Sequence, residues 1–201
     1  MNLANKLTLF RIILVPIMVI IPLFNIQGDI VGIPITYLII NFIFIIASIT
    51  DKLDGYIARS RNQVTTFGKF LDPIADKILV ISALIMLVEM GLIPSWIPII
   101  VMVREFAVSG YRLIAVEKNG TVISASIWGK LKTVTQIIAI IFAFINFNNS
   151  NIFFNFANGN LIGIELIINI ITTVFILISV VATIFSGLDY IKGCKNLFKD
   201  M

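Results

Sequence analysis

The chain has 201 residues, 59% hydrophobic and only 13% charged, with fifteen Lys and Arg against eleven Asp and Glu, and its mean hydropathy of +1.04 lies far outside the range of soluble globular domains. Histidine is absent and Cys194 is the only cysteine, which excludes imidazole-ligated haem, histidine-rich di-iron centres, histidine general bases, internal disulfides and cysteine-built zinc or iron–sulfur sites. In so apolar a chain the net charge of +4 speaks of topology and anionic lipid, and no nucleic-acid partner is expected.

Hydropathy and helix breakers predict an all-α polytopic membrane protein. A single domain over 1–201 forms a bundle of six transmembrane helices, at about residues 6–25, 34–60, 67–90, 94–118, 123–147 and 161–194. The first helix has an amphipathic start with Lys6 and Arg11, contains Pro16 and lacks a small-residue cleavage site, so it reads as a retained helix and not a signal peptide. A loop from Asn25 to Asp29 leads to Pro34 and the second helix, which carries Asp51, Asp54, Gly55, Ala58 and Arg59 near its end. The third helix opens with Gly68, Asp72 and Asp76. Gly91 and Pro94 introduce a fourth helix bearing Arg104, Glu105 and Arg112, and the turn Lys118-Asn119-Gly120 precedes a fifth that begins with Lys130 and Lys132. An Asn-rich loop from Asn146 to Asn160 reads as a plain extracytoplasmic connection, and Cys194 as a small residue near the end of the sixth helix.

The basic residues predict orientation. All fifteen fall at the termini, around the second-third and fourth-fifth connections, or in the adjoining helix portions, while the other three loops contain none. By the positive-inside rule both termini and the even-numbered connections face the cytoplasm.

Chemistry concentrates on the second and third helices. Asp51 and Asp54 are three residues apart and Asp72 and Asp76 four apart, so each pair shares a helix face near a short connection. A single Asp at a helix end is commonly interfacial, and Gly or Ala on a face commonly marks helix packing. Four acids within membrane helices, however, need a compensating charge. Without histidine or thiolate, their oxygens favour Mg²⁺, Mn²⁺ or Ca²⁺. Two such ions about 3.5–4 Å apart suit in-line displacement at phosphorus. Gly55, Ala58 and Gly68 would let a bulky pyrophosphate approach the helices, and Arg59 would bind its oxygens. The same acids could instead line an ion path, which leaves a divalent-cation transporter as an alternative; their clustering at one membrane face counts against it. Arg104, Arg112, Lys130 and Lys132 could converge on an anionic acceptor, although the two lysines also satisfy the positive-inside rule.

The stretch Asp51-Lys52-Leu53-Asp54-Gly55-Tyr56-Ile57-Ala58-Arg59 followed by Gly68, Asp72 and Asp76 resembles the signature of the CDP-alcohol phosphatidyltransferase family, with every defining position filled. The resemblance implies a six-helix homodimer in the bacterial plasma membrane with its site open to the cytoplasm. It implies two divalent cations, Mg²⁺ or Mn²⁺, held by Asp51, Asp54, Asp72 and Asp76, and Asp76 as the base. CDP-diacylglycerol would be bound by Asp54, Gly55, Ala58, Arg59 and Gly68, with Thr8 and Arg11 as further phosphate contacts. The stretches Asn5 to Arg11, Asp72 to Lys77, Arg104 to Phe106, Ser109 to Arg112 and Gly129 to Thr133 are similar to the branch whose acceptor is sn-glycerol 3-phosphate, its phosphate then falling to Arg104, Arg112, Lys130 and Lys132. Within the same family, phosphatidylglycerol or inositol phosphate would be alternative acceptors, giving a cardiolipin or phosphatidylinositol phosphate synthase.

Overall fold

A computed structural model describes residues 2–60, 66–119, 127–147, 152–158 and 161–193. Six long helices dominate: α1 Leu3–Ile20, α2 Ile35–Ser60, α3 Thr66–Glu89, α4 Trp96–Asn119, α5 Ile127–Ala143 and α6 Ile164–Gly193. Helices are thus present in all six expected segments, and α5 ends at Ala143, short of the expected 147. Two of them, within Asn5–Phe24 and Ile164–Tyr190, are long and apolar enough by length and composition to cross a membrane. At about 1.5 Å per residue, α6 with its 30 residues measures about 45 Å, longer than the hydrocarbon core of a bilayer.

A short non-helical segment follows α1. Pro22 opens a 3-10 turn over Ile21–Phe24, which Asn25 closes in the left-handed conformation at φ 45°. A hairpin of β1 Asp29–Ile30 and β2 Ile33–Pro34 follows. Val31 and Gly32 form its two-residue turn, both at positive φ, the conformation that matches the twist of a tight hairpin. The Gly32 amide donates to Asp29 Oδ2 at 3.1 Å. Sequence reasoning gave this segment as loop, because Val31 is an unusual residue for a left-handed position.

Polarity is inverted relative to a soluble bundle. On α1, Asn5, Thr8 and Arg11 are buried while Phe10, Ile13 and Ile17 are exposed. On α6, Asn169, Thr172, Thr173, Ser179, Thr183 and Ser186 are buried and Ile170, Val174, Ile178 and Phe185 are exposed. Of the two basic residues expected at the start of α1, Arg11 lies inside with Asn5 and Thr8, whereas Lys6 is exposed. Such a pattern fits a lipid surround, where an apolar exterior costs nothing and close helix contact uses small and hydroxylated side chains. Asn41 of α2 adds an interhelical bond, donating Nδ2 to the Ile141 carbonyl of α5 at 3.1 Å.

The packing positions the site. α1 lies against both α2 and α3, α6 against α5 and α4, and α3 joins the two groups through α4 and α5. Met18, Phe44, Leu79, Leu87, Ile97, Ile140 and Phe144 fill the centre. Trp96 meets Phe153 edge-on with ring centroids 5.4 Å apart, and Trp128 stacks on Phe185 at 5.1 Å. These pairs sit near the starts of α4 and α5, which run in opposite directions, so each end of the bundle carries an indole.

Phe144 is fully buried and meets Tyr37 edge-on at 6.5 Å. Phe144→Ala should destabilise the folded protein by about 3–5 kcal/mol, read as a lowered unfolding midpoint in detergent. An unchanged midpoint would contradict this packing.

Candidate functional site

The acid-bearing segments are the end of α2 and the start of α3, and α1 crosses both. Arg11 has no solvent exposure, and its Nη1 lies 2.8 Å from Asp51 Oδ1. One helical turn earlier, the Thr8 hydroxyl donates to Asp72 Oδ1 at 2.7 Å. The spacing of three residues puts both side chains on one face of α1. Gly68 is buried one turn before Asp72, and Gly55 is half-buried one turn after Asp51. Thr8 and Arg11, expected at substrate phosphates, thus engage the acids themselves.

Asp76 faces another way. It lines a cavity of about 620 Å³ bounded by α3, α4, α5 and α6, together with Lys77, Arg104, Glu105 and Lys132. Its carboxylate interacts electrostatically with Asp51, Arg11, Glu105 and Lys132, so it stands between the acid pair braced by α1 and the cations beyond. Among the described residues no three acids gather into one cluster able to hold an ion. Asp51 and Asp72 contact Arg11 and Thr8 of α1, while Asp76 lines the cavity. The side chains of Asp54, Ala58, Arg59 and Arg112 lie outside the described residues.

The donor chemistry nonetheless fits a hard divalent cation. All ligand candidates are carboxylates, with no nitrogen or sulfur donor nearby to favour zinc or copper. Each contact from Arg11 or Thr8 uses Oδ1, and a carboxylate has two oxygens with about four acceptor positions, so ligation through the other oxygen is compatible with both contacts.

The cations form a network across four helices. The Arg104 guanidinium donates from Nη1 to Glu105 Oε1 at 2.8 Å and from Nη2 to Ser186 Oγ of α6, and it lies 5.9 Å above the Tyr190 ring, within cation–π range. Lys132 of α5 donates to the same Glu105 Oε1. Lys77 of α3 donates to Ser109 Oγ, which in turn donates to the Glu105 carbonyl at 2.7 Å. Lys130 departs from expectation: it is exposed and does not line the cavity, whereas Lys132 is buried. Positions two apart on a helix are separated by about 200°, which puts the two lysines on different faces of α5.

Sequence reasoning missed Lys77, Ser109, Ser186 and Tyr190 as parts of this site and gave Glu105 no role in it. Glu105 carried a usable signal, since a carboxylate about ten residues into an apolar helix demands partners. Ser186 and Tyr190 lay hidden in the apolar run of α6.

The chain matches the CDP-alcohol phosphatidyltransferase family over residues 1–185. It is 51% identical over 145 residues to the CDP-diacylglycerol--glycerol-3-phosphate 3-phosphatidyltransferase of Bacillus subtilis (strain 168), covering 69% of this chain and 74% of that protein. Proteins of the same name from Rickettsia bellii (strain RML369-C) and Haemophilus influenzae are 36% and 34% identical, each covering at least 96% of both chains.

The Arg11–Asp51 pair generates a stability prediction. Asp51→Asn should cost about 1.5–3 kcal/mol, since it withdraws a countercharge from a guanidinium with 0% exposure while Asp51 itself is 35% exposed. Arg11→Met should recover part of that loss in the double variant, because the buried charge is then gone. Strictly additive losses in detergent unfolding would show that the two groups are not coupled.

Proposed function

The chain belongs to the CDP-alcohol phosphatidyltransferase family, and we infer that it transfers the phosphatidyl group of CDP-diacylglycerol to the 1-hydroxyl of sn-glycerol 3-phosphate, a step of phosphatidylglycerol biosynthesis. The observation that carries this reading is that Asp76 shares one cavity with Arg104 and Lys132. A proton acceptor and two phosphate-binding cations are what an alcohol bearing a phosphate needs in a single pocket.

Asp51, Asp54, Asp72 and Asp76 would hold the two divalent cations, Mg²⁺ or Mn²⁺, which when bound supply positive charge to the pyrophosphate. Thr8 and Arg11 fix the orientation of Asp72 and Asp51. Gly55, Ala58 and Gly68 keep the helix surface low beside them, and Arg59 offers a guanidinium to phosphate oxygens. Arg104 and Lys132, with Arg112, bind the acceptor phosphate. Asp76 takes the proton from the acceptor hydroxyl as its oxygen attacks the β-phosphorus; the new P–O bond forms as the bond to the CMP oxygen breaks. Phosphatidylglycerophosphate and CMP result. Relatives that carry out the same named reaction at 34–51% identity over most of the chain support the assignment.

In this reading all six helices span the bacterial plasma membrane, the protein forms a homodimer, and both termini and the site face the cytoplasm. Asp72→Asn and Asp76→Asn should each lower CMP release by at least about 10³-fold in protein that still folds, and chelation of divalent cations should do the same to the unaltered enzyme. Near-normal turnover in either variant would sink these roles.

The orientation has its own test. Asn62 and Asn149 lie outside the described residues but on opposite sides of the expected topology. With Cys194→Ser as background, Asn149→Cys should react with an impermeant thiol reagent in intact cells and Asn62→Cys should be protected. The reverse pattern would invert the protein and separate its site from cytosolic acceptors.

A further inference from the structure

Five charged groups line the cavity: three cations, Lys77, Arg104 and Lys132, and two carboxylates, Asp76 and Glu105. Asp76 has a task in the reaction just described. Glu105 has none, and as an acid inside a pocket for an anionic acceptor it opposes binding by simple charge. Its geometry supplies a different use. The Arg104 guanidinium on α4 and the Lys132 ammonium on α5 both donate to one atom, Glu105 Oε1. Adjacent residues on a helix point about 100° apart and do not ordinarily pair. Arg104 must therefore bend along its own helix to reach Glu105, while its other nitrogen is held by Ser186. The bent arrangement gives α4 no helix-stabilising pair of the ordinary kind. What it does is bring two like charges from neighbouring helices to a common point.

We propose that Glu105 is a positioning residue of the acceptor subsite, holding the Arg104 guanidinium and the Lys132 ammonium side by side so that their remaining donors face a single phosphate group in the cavity. The inference rests on the reading of this cavity as the sn-glycerol 3-phosphate pocket. Without the shared carboxylate the two cations repel one another in a poorly screened site, and a long Lys side chain has the rotamer freedom to swing away. The backbone carbonyl of Glu105 also receives the Ser109 hydroxyl, to which Lys77 donates, so the third cation is referenced to the same residue. Glu105 acts through its neighbours and touches no reacting atom.

The test is steady-state kinetics of purified enzyme with CDP-diacylglycerol in mixed micelles and sn-glycerol 3-phosphate varied, for the unaltered protein, Glu105→Gln, Lys132→Gln and the double variant. Glu105→Gln should raise the acceptor KM by about tenfold or more, with kcat and the lipid KM each within about threefold. In the Lys132→Gln background the same change should add less than about twofold, because one of the two cations it holds together is gone and no like-charge repulsion remains to be offset. Glu105→Asp keeps the charge at shorter reach and should fall between the unaltered enzyme and Glu105→Gln; it carries the test if Glu105→Gln does not fold. An unchanged acceptor KM, an equal fall in kcat, or a full multiplicative loss in the Lys132→Gln background would overturn the proposal while leaving the proposed reaction intact. CMP release by the unaltered enzyme that shows no dependence on sn-glycerol 3-phosphate would instead overturn the reading of the cavity, and the proposal with it.

Discussion

A guanidinium with no solvent exposure, Arg11, facing Asp51 across 2.8 Å sets the terms for the rest of the molecule. An isolated charge in an apolar interior costs several kcal/mol even after relaxation, so the buried guanidinium requires a carboxylate beside it, which the partly exposed Asp51 supplies. Because Arg11 is on α1 and Asp51 on α2, the pair fixes how those two helices sit. Thr8, one turn away, makes the matching contact to Asp72 of α3. A helix that otherwise displays aliphatic side chains outward is thereby pinned across the two helices that carry the acids. The polar face of α1 is required by the acids it covers, and the acids are held in orientation by that face.

The same economy explains why the polarity of the bundle runs from inside to outside in reverse. Where the surround is apolar, burying leucine against leucine gains little, and specificity of packing passes to hydroxyls, amides and small residues. Thr172, Thr173, Thr183 and Ser186 have almost no exposure, and they form the stripe by which α6 meets its neighbours. Ser186 belongs both to that stripe and to the functional network through Arg104. Packing and chemistry therefore use the same residues at this end of α6, and a change there would be felt in both.

Most of the helical framework was legible in the sequence, because long apolar segments separated by Gly, Pro and Asn leave few other solutions for a chain that must satisfy its backbone bonds internally. The hairpin at Asp29–Pro34 was not, since its turn uses Val31 at φ 56°, a choice no propensity rule favours. The acids, the glycines and Arg104 were visible as polar or small residues at fixed spacing in apolar helices. Their partners were less so. Thr8 and Arg11 stood out, yet which group each would touch depends on how α1 crosses α2 and α3, and helix crossing is a tertiary property that periodicity does not encode. Lys130 and Lys132 looked equivalent by charge and position; only the rotation of α5 about its axis separates an exposed amine from a buried one.

That rotation bears on how a site can be assembled from two halves. The acids belong to the group α1, α2 and α3, and the cations Arg104 and Lys132 to the group α4, α5 and α6. α3 is the seam at the site, since it packs against α1 and α2 on one side and α4 and α5 on the other and carries Asp76 at the cavity. Asp72 and Asp76 are four residues apart, nearly one full turn, and would share a face on an isolated helix. Here the first is tied to α1 and the second borders the cavity on the far side. The small angular offset between positions four apart, together with different side-chain directions, is enough to let one helix serve two compartments. In an in-line displacement the attacking alcohol oxygen and the departing nucleotide oxygen lie on opposite sides of the lipid-linked phosphorus, so an acid that received the alcohol's proton and an acid that held the diphosphate would face that phosphorus from different directions. Asp76 is therefore the acid of α3 that stands beside Arg104 and Lys132, while Asp72 one turn earlier is tied to α1.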